Sequence, residues 1–280
     1  MVEIRPFRAG DEEAVGLLHR RVWRPESADP LQESERYASW LRDTFLRHPW
    51  EESGIHSLVA ESRERVVGFM GVLPRPLRLG SQSLFAAVSS QLVVSPDERA
   101  SLAGLSLIKA LFAGPQAVSI ADEANTSARR IWEAAGGATA SITSVGWTTI
   151  LRPVQYGLSR ASAHGGLRWM RHTGLLAKVA DSMVSKRWLQ SRERMVHRMT
   201  SMTEGGDDDL LSWFENGQST DRGTTDLLKP RYDEASLRWL MGRLRSAGHA
   251  VRIGLVRDRK EIPVGCFVYR EEKKIGRAHV

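Results

Sequence analysis

The chain has one cysteine, Cys266, in 280 residues. That excludes an intrachain disulfide framework and a cysteine-rich metal site, and it suits a reducing compartment. The eight histidines are scattered. None forms the H-x-H or H-E-x-x-H spacing that sets two ligands on one metal. No run reaches the roughly 20 apolar residues needed to cross a membrane. The opening stretch, MVEIRPFRAGDEEAV, carries acids and no apolar segment, which argues against a secretory leader. These absences point to a cytoplasmic protein. Lysine is scarce, at 7 against 33 arginines. A GC-rich coding sequence explains that bias more simply than anion binding does.

What the chain does hold is enough apolar residue, 41% including nine tryptophans, for a substantial core. Its net charge of +7 is uneven. Residues 1–150 carry 16 basic and 18 acidic side chains, whereas 151–203 carry 10 basic and 2 acidic.

Periodicity predicts a strand over 2–7, then a helix from Asp11, with Glu12 and Glu13 favourable in its first turn. Tyr37, Trp40, Leu41 and Phe45 fall on one face of a second helix, 31–47. Strands follow at 56–62, 65–80 and 81–94, a helix at 101–113, a strand at 116–121, a helix from Asn125 ended by Gly136-Gly137, and a strand at 142–151. This order predicts an α/β domain over 1–152 with a mixed central sheet and helices on both faces. After Pro153, residues 153–203 read as a basic helical linker. Residues 204–280 read as a partial α+β domain, with a polar break at 203–209, helices near 209–215 and 234–246, and strands at 250–256 and 264–270. A faint repeat links 58–72 to 253–269.

The stretch QLVVSPDERASLAGLSLIKALF (91–112) runs from a strand through a tight loop into a helix. A helix N-terminus presents unpaired N–H groups and partial positive charge. The small residues Ala100, Ser101, Ala103 and Gly104 let a phosphate approach the backbone, and Arg99 adds a charge-assisted contact. The alternative is a plain strand–turn–helix corner.

Val94, Pro96, Arg99 and Gly104 match the signature V-x-P-x-x-[QR]-x-x-G-x-[GA], with Leu102 at the first glycine. Asn125, Ala128, Ile131 and Trp132 match a second element, N-x-x-A-x-x-[LIF]-[YF]. With these motifs the region 2–152 resembles the GNAT superfamily of acyl-CoA N-acyltransferases. The resemblance implies acetyl-CoA or another acyl-CoA as co-substrate. It would be held by Val93, Val94, Arg99, Ala100, Ser101, Leu102, Ala103, Gly104, Ser106 and Asn125. It implies direct transfer of an acetyl group to a small-molecule or peptide amine.

The usual catalytic pair is altered. In many members of the family a carboxylate on the fourth strand takes the amine proton, and a tyrosine on the helix after the Asn motif protonates the thiolate. Here FAAVSSQLVV has no carboxylate, and the tyrosine position is Trp132, whose indole N–H has no useful acidity. Asp122 and Ser90 are the candidate catalytic residues. Asp122 and Glu123 are equally explained as acids favouring a helix N-terminus. A non-catalytic acyl-CoA-sensing or scaffold module is the alternative function.

Trp169 and Trp188 within 154–203 would suit a membrane surface or an acidic partner such as an acyl carrier protein. The plainer reading is linking helices with a packed Met/Leu/Trp face and solvated arginines. No nucleic-acid-binding motif is visible, so no nucleic-acid partner is expected. Leu237-Arg238-Trp239 before two strands resembles the second repeat of tandem GNAT acyltransferases. This makes 204–280 a truncated second GNAT-like domain. The final six residues, IGRAHV (275–280), read as a translated sequencing adapter, so the natural chain is expected to continue.

Overall fold

A computed structural model describes residues 2–23, 30–97, 102–122, 124–140, 154, 156–157, 181–182, 200–219, 228–246 and 250–271. In chain order the elements are β1 (Glu3–Pro6), α1 (Glu12–Trp23), α2 (Pro30–Phe45), β2 (Leu58–Ser62), β3 (Arg65–Leu79), β4 (Gln82–Val94), α3 (Ala103–Phe112), β5 (Val118–Ala121) and α4 (Thr126–Ala134). Then come β6 (Thr200–Gly205), α5 (Asp207–Ser219), β7 (Leu228–Pro230), α6 (Glu234–Ser246), β8 (Ala250–Asp258) and β9 (Pro263–Glu271). Two units emerge: Met1–Ser144 with Asp221–Trp239, and Val145–Thr220 with Leu240–Val280.

The first unit is built on a sheet ordered β1-β2-β3-β4-β5, with β7 also paired to β3. All pairings are antiparallel except β4–β5, which is parallel. The mixed sheet and the helices beside it give the expected α/β class. On one face, Met70, Val72 and Ala87 pack with Ala103, Leu107, Ile108 and Leu111 of α3. On the other, Val59 and Phe69 pack with Val15 of α1 and with Leu41 and Phe45 of α2. The helices α1, α2 and α3 turn their apolar stripes to the sheet, and α1 also buries one charge, Glu12.

The start of α1 is pinned by charge. Asp11 accepts two guanidinium hydrogen bonds from Arg5, at 2.7 and 2.9 Å, and Arg5 Nε also reaches Glu61 at 2.7 Å. Arg42 of α2 donates to Glu12 at 2.8 Å. Burial raises the Asp11 carboxyl, but Arg5 and the Arg8 N–H pull it below the ordinary carboxylate range.

The β2–β3 hairpin turns on Arg63 and Glu64, both at positive φ (50° and 60°). This is the backbone of a two-residue turn that favours Asn-Gly. Residues 253–269 also lie in a hairpin, β8–β9.

Two elements differ from the sequence reading. Residues 200–205 form β6, not the end of a helical linker. Their alternation is mostly polar, so hydropathy missed it, and the ladder to β8 supplies their backbone hydrogen bonds. Residues 221–239, read together with 204–280, belong to the first unit. There Leu228–Pro230 pairs with Leu77–Leu79, and the Trp239 indole donates to the Arg47 carbonyl at 2.9 Å. The second unit has a three-stranded antiparallel sheet, β6-β8-β9. There burial pushes the Cys266 thiol up, away from thiolate chemistry. The expected strand at 142–151, Trp169, Trp188 and the tail 275–280 lie outside the described residues. No described helix is long and apolar enough to cross a membrane.

Candidate functional site

Strand β4 is where the sheet opens. Its parallel ladder to β5 runs from Ala86↔Val118 to Ser89↔Ala121 and stops. The antiparallel ladder to β3 continues to Val94↔Gly68. Residues 90–94 are thus paired on one edge only, among the described residues. One further step of the parallel register would set Asp122 opposite Ser90, at the point where the strands part. Asp122 is exposed and Ser90 half-buried.

A bulge changes the facing of β4 at the same place. Phe69 pairs with Val93 and Gly71 with Ser90, so β4 carries one extra residue there. Gln91 takes the strain, at φ 53°. Phe85 and Ala87 face α3, and so do Leu92 and Val94. A regular strand would have turned residue 92 to the opposite face. Across the sheet, Gly71 has no room for a side chain, because an added Cβ would lie 2.4 Å from Phe45 Cζ.

On the α1/α2 side, Tyr37 stacks between His19 (ring centroids 4.1 Å) and Trp40 (5.2 Å). Its hydroxyl reaches Gln91 Oε1 at 3.4 Å. Burial pushes the Tyr37 phenol well above the usual tyrosine range, so it stays protonated. Helical spacing alone assigns Tyr37 and Trp40 only to a packing face. Their proximity to the bulge depends on the fold of α2 over β4 and has no local signal.

At the end of β4, the Ser95 N–H bonds the Val67 carbonyl at 2.8 Å, and α3 begins eight residues later at Ala103. Glu98, Arg99, Ala100 and Ser101 lie outside the described residues. Leu102 occupies the N-cap position in the left-handed region, φ 61° and ψ 19°, with no side-chain cap. Its side chain is 61% exposed, so it does not enter the core. The Leu102 carbonyl accepts the Ser106 N–H at 2.9 Å, which commits Ser106's main chain to the helix. Among the described residues, no acceptor meets the N–H groups of Ala103, Gly104 and Leu105. Gly104 sits against Val94, where an added Cβ would touch Cγ2 at 3.6 Å. Ala103 and Val93 have buried side chains; Ala103 keeps its main-chain N–H at the helix start, whereas the main chain of Val93 is turned to Phe69 of β3.

Asn125 caps α4, its Oδ1 accepting the Ala128 N–H at 2.9 Å. That leaves its amide NH₂ for a ligand. Trp132 packs edge-on against Phe112, with centroids 5.1 Å apart, and closes the core below α3.

Solved structures similar to this chain include acetyltransferases. A GCN5-related N-acetyltransferase from Kribbella flavida is 13% identical over 98% of this chain and 56% of its own length, with a TM-score of 0.49. Glucosamine-6-phosphate N-acetyltransferase from Arabidopsis thaliana is 15% identical over 54% of this chain and 98% of its own, with a TM-score of 0.38. AAC(6')-Iy, solved with the bisubstrate analog CoA-S-monomethyl-acetylneamine, is 18% identical over 54% of this chain and 98% of its own, with a TM-score of 0.39. No protein-family model and no curated protein matches the chain.

Proposed function

We propose that this protein is an acyl-CoA-dependent N-acyltransferase, most simply transferring acetyl from acetyl-CoA to a small-molecule or peptide amine. The observation that carries this reading is the opening of the sheet beside an open helix start. The β4–β5 ladder ends at Ser89 and Ala121, and β4 leads to the uncapped first turn of α3. The free edge at Val94 offers a main-chain N–H and carbonyl to the amides of pantetheine, while Val93, whose main chain is turned to Phe69 of β3, lines the strand beside it. The N–H groups of Ala103 and Gly104 offer donors to a diphosphate. Arg99, Ala100 and Ser101 complete the loop in this reading, with the Asn125 amide nearby.

Transfer is direct. The amine nitrogen attacks the thioester carbonyl carbon, the C–S bond breaks, and the departing thiolate takes up a proton. Asp122 accepts the amine proton, directly or through water, and Ser90 hydrogen-bonds at the point of attack. Isothermal calorimetry with CoA, followed by free-thiol detection against an amine panel, tests binding and turnover separately.

A second reading has one observation of its own. Trp132, half-buried, packs on the edge of the core against Phe112 and brings no acid to the thiolate. A non-catalytic acyl-CoA sensor or scaffold would bind CoA, yet release no thiol with any amine.

A further inference from the structure

Trp50 follows α2, and its indole meets the side chain of Arg75 from β3. The Arg75 Cζ lies 4.9 Å from the Trp50 ring centre, a cation–π contact. Trp50 is only 6% exposed, and its Nε1 has no hydrogen-bond partner. Arg75 Nη1 is likewise buried and without one. Two adjacent donors, one of them charged, therefore face no acceptor among the described residues. This is unusual, because buried polar groups are nearly always satisfied.

Among the described residues, no carboxylate pairs with Arg75. Arg5, Arg42, Arg245 and Arg252 each have a carboxylate within 3.0 Å. Burial weakens the charged form of Arg75, and Tyr232 is the one neighbour that supports it. His48 stands close by, its Nδ1 accepting the backbone N–H of Trp50, not the indole, at 3.2 Å. Burial keeps His48 below the usual histidine range, with Glu51 pulling it up and Arg75 and His56 pushing it down. The other wall is apolar: Trp50 packs edge-on against Trp239, with centroids 5.5 Å apart.

We propose that Arg75 Nη1 and Trp50 Nε1 form a binding site for a small oxyanion, a carboxylate or phosphate group accepting from both donors. The guanidinium provides charge and directionality, and the indole N–H fixes a second oxygen. The site lies at the Arg75↔Ala86 level of the sheet, away from the free edge 90–94, and does not depend on the acyltransferase reading.

The experiment follows the indole ¹H–¹⁵N resonance that disappears in Trp50→Phe. The full chain is titrated with sodium phosphate and separately with sodium acetate, against sodium chloride at matched ionic strength. The expected result is a saturable shift with phosphate or acetate and none with chloride. The tighter of the two identifies the group recognised. Arg75→Met is expected to lose the saturable shift while melting no lower than the parent in anion-free buffer, because it removes an unpaired buried charge. Arg75→Lys is expected to weaken the shift. No movement with either anion at tens of millimolar, or an undiminished shift in Arg75→Met, would overturn the proposal. So would a large drop in the melting temperature of Arg75→Met without anion. A phosphate bound elsewhere on the chain would leave this indole where it was.

Discussion

Ser89 on β4 and Ala121 on β5 form the last pair of the only parallel ladder among the described strands. One residue later the chain offers Ser90 on one strand and Asp122 after the other. In the proposed reaction Asp122→Asn lowers turnover by about a hundredfold, the usual scale for a lost general base, and leaves CoA affinity unchanged. Ser90→Ala lowers kcat less. Steady-state kinetics separate the two effects. An Asp122→Asn enzyme with full kcat would return the residue to a helix-terminal role.

Leu102 sits at φ 61°, where leucine is strained and glycine is not. The motif resembled in the sequence carries glycine at this position, and the left-handed backbone explains why. Leu102→Gly relieves about 1–2 kcal/mol of strain and returns about 0.5–1 kcal/mol to chain entropy. The net expectation is a melting temperature unchanged or slightly higher. CoA affinity rises, because a 61% exposed leucyl side chain leaves the mouth of α3. Calorimetry of the two proteins checks both parts.

Gly71 pairs with Ser90 and faces Phe45. Gly71→Ala therefore forces the Phe45 ring to move and costs about 1–3 kcal/mol, as other overpacked core substitutions do. Phe45→Leu in the same chain should recover part of that loss. Urea unfolding of the single and double variants measures the coupling.

The carboxyls of Asp11 and Glu12 are both held below their ordinary values. For Glu12, burial acts upward, while its own N–H, Arg42 and Gly10 act downward and prevail. Groups depressed in the folded state add stability above their unfolded pKa, and that stability is lost as pH falls through the folded value. Arg5→Ala removes the chief partner of Asp11. It is expected to cost about 2 kcal/mol near neutrality and to move acid unfolding to higher pH. Circular dichroism across an acid titration reads both.

Much of the first unit was legible in local pattern. The long apolar runs at 65–80 and 81–94 became β3 and β4, and the capping signal at Asn125 became the N-cap of α4. Periodicity reports which residues want burial, and those stretches had clear periods. The bulge at Gln91 was not legible, because a single extra residue leaves the composition of a strand unchanged. Nor was the pairing of Leu228–Pro230 with β3, since a three-residue strand carries no period. The orphan donors of Trp50 and Arg75 arise from residues 25 positions apart in sequence. For the site, the sequence supplied residue types and an order. The structure added where β4 and β5 part and the strained start of α3.

Thermal melting with and without acetyl-CoA reads whether the folded chain holds the cofactor, since a ligand bound only to the folded state raises the melting temperature by mass action. The melting temperature of the parent chain is expected to rise with acetyl-CoA concentration. That rise is lost in Gly104→Trp, which wedges a ring between Val94 and the first turn of α3, and in Arg99→Glu. No rise at millimolar acetyl-CoA, or an equal rise in both variants, would contradict the proposed acyl-CoA site.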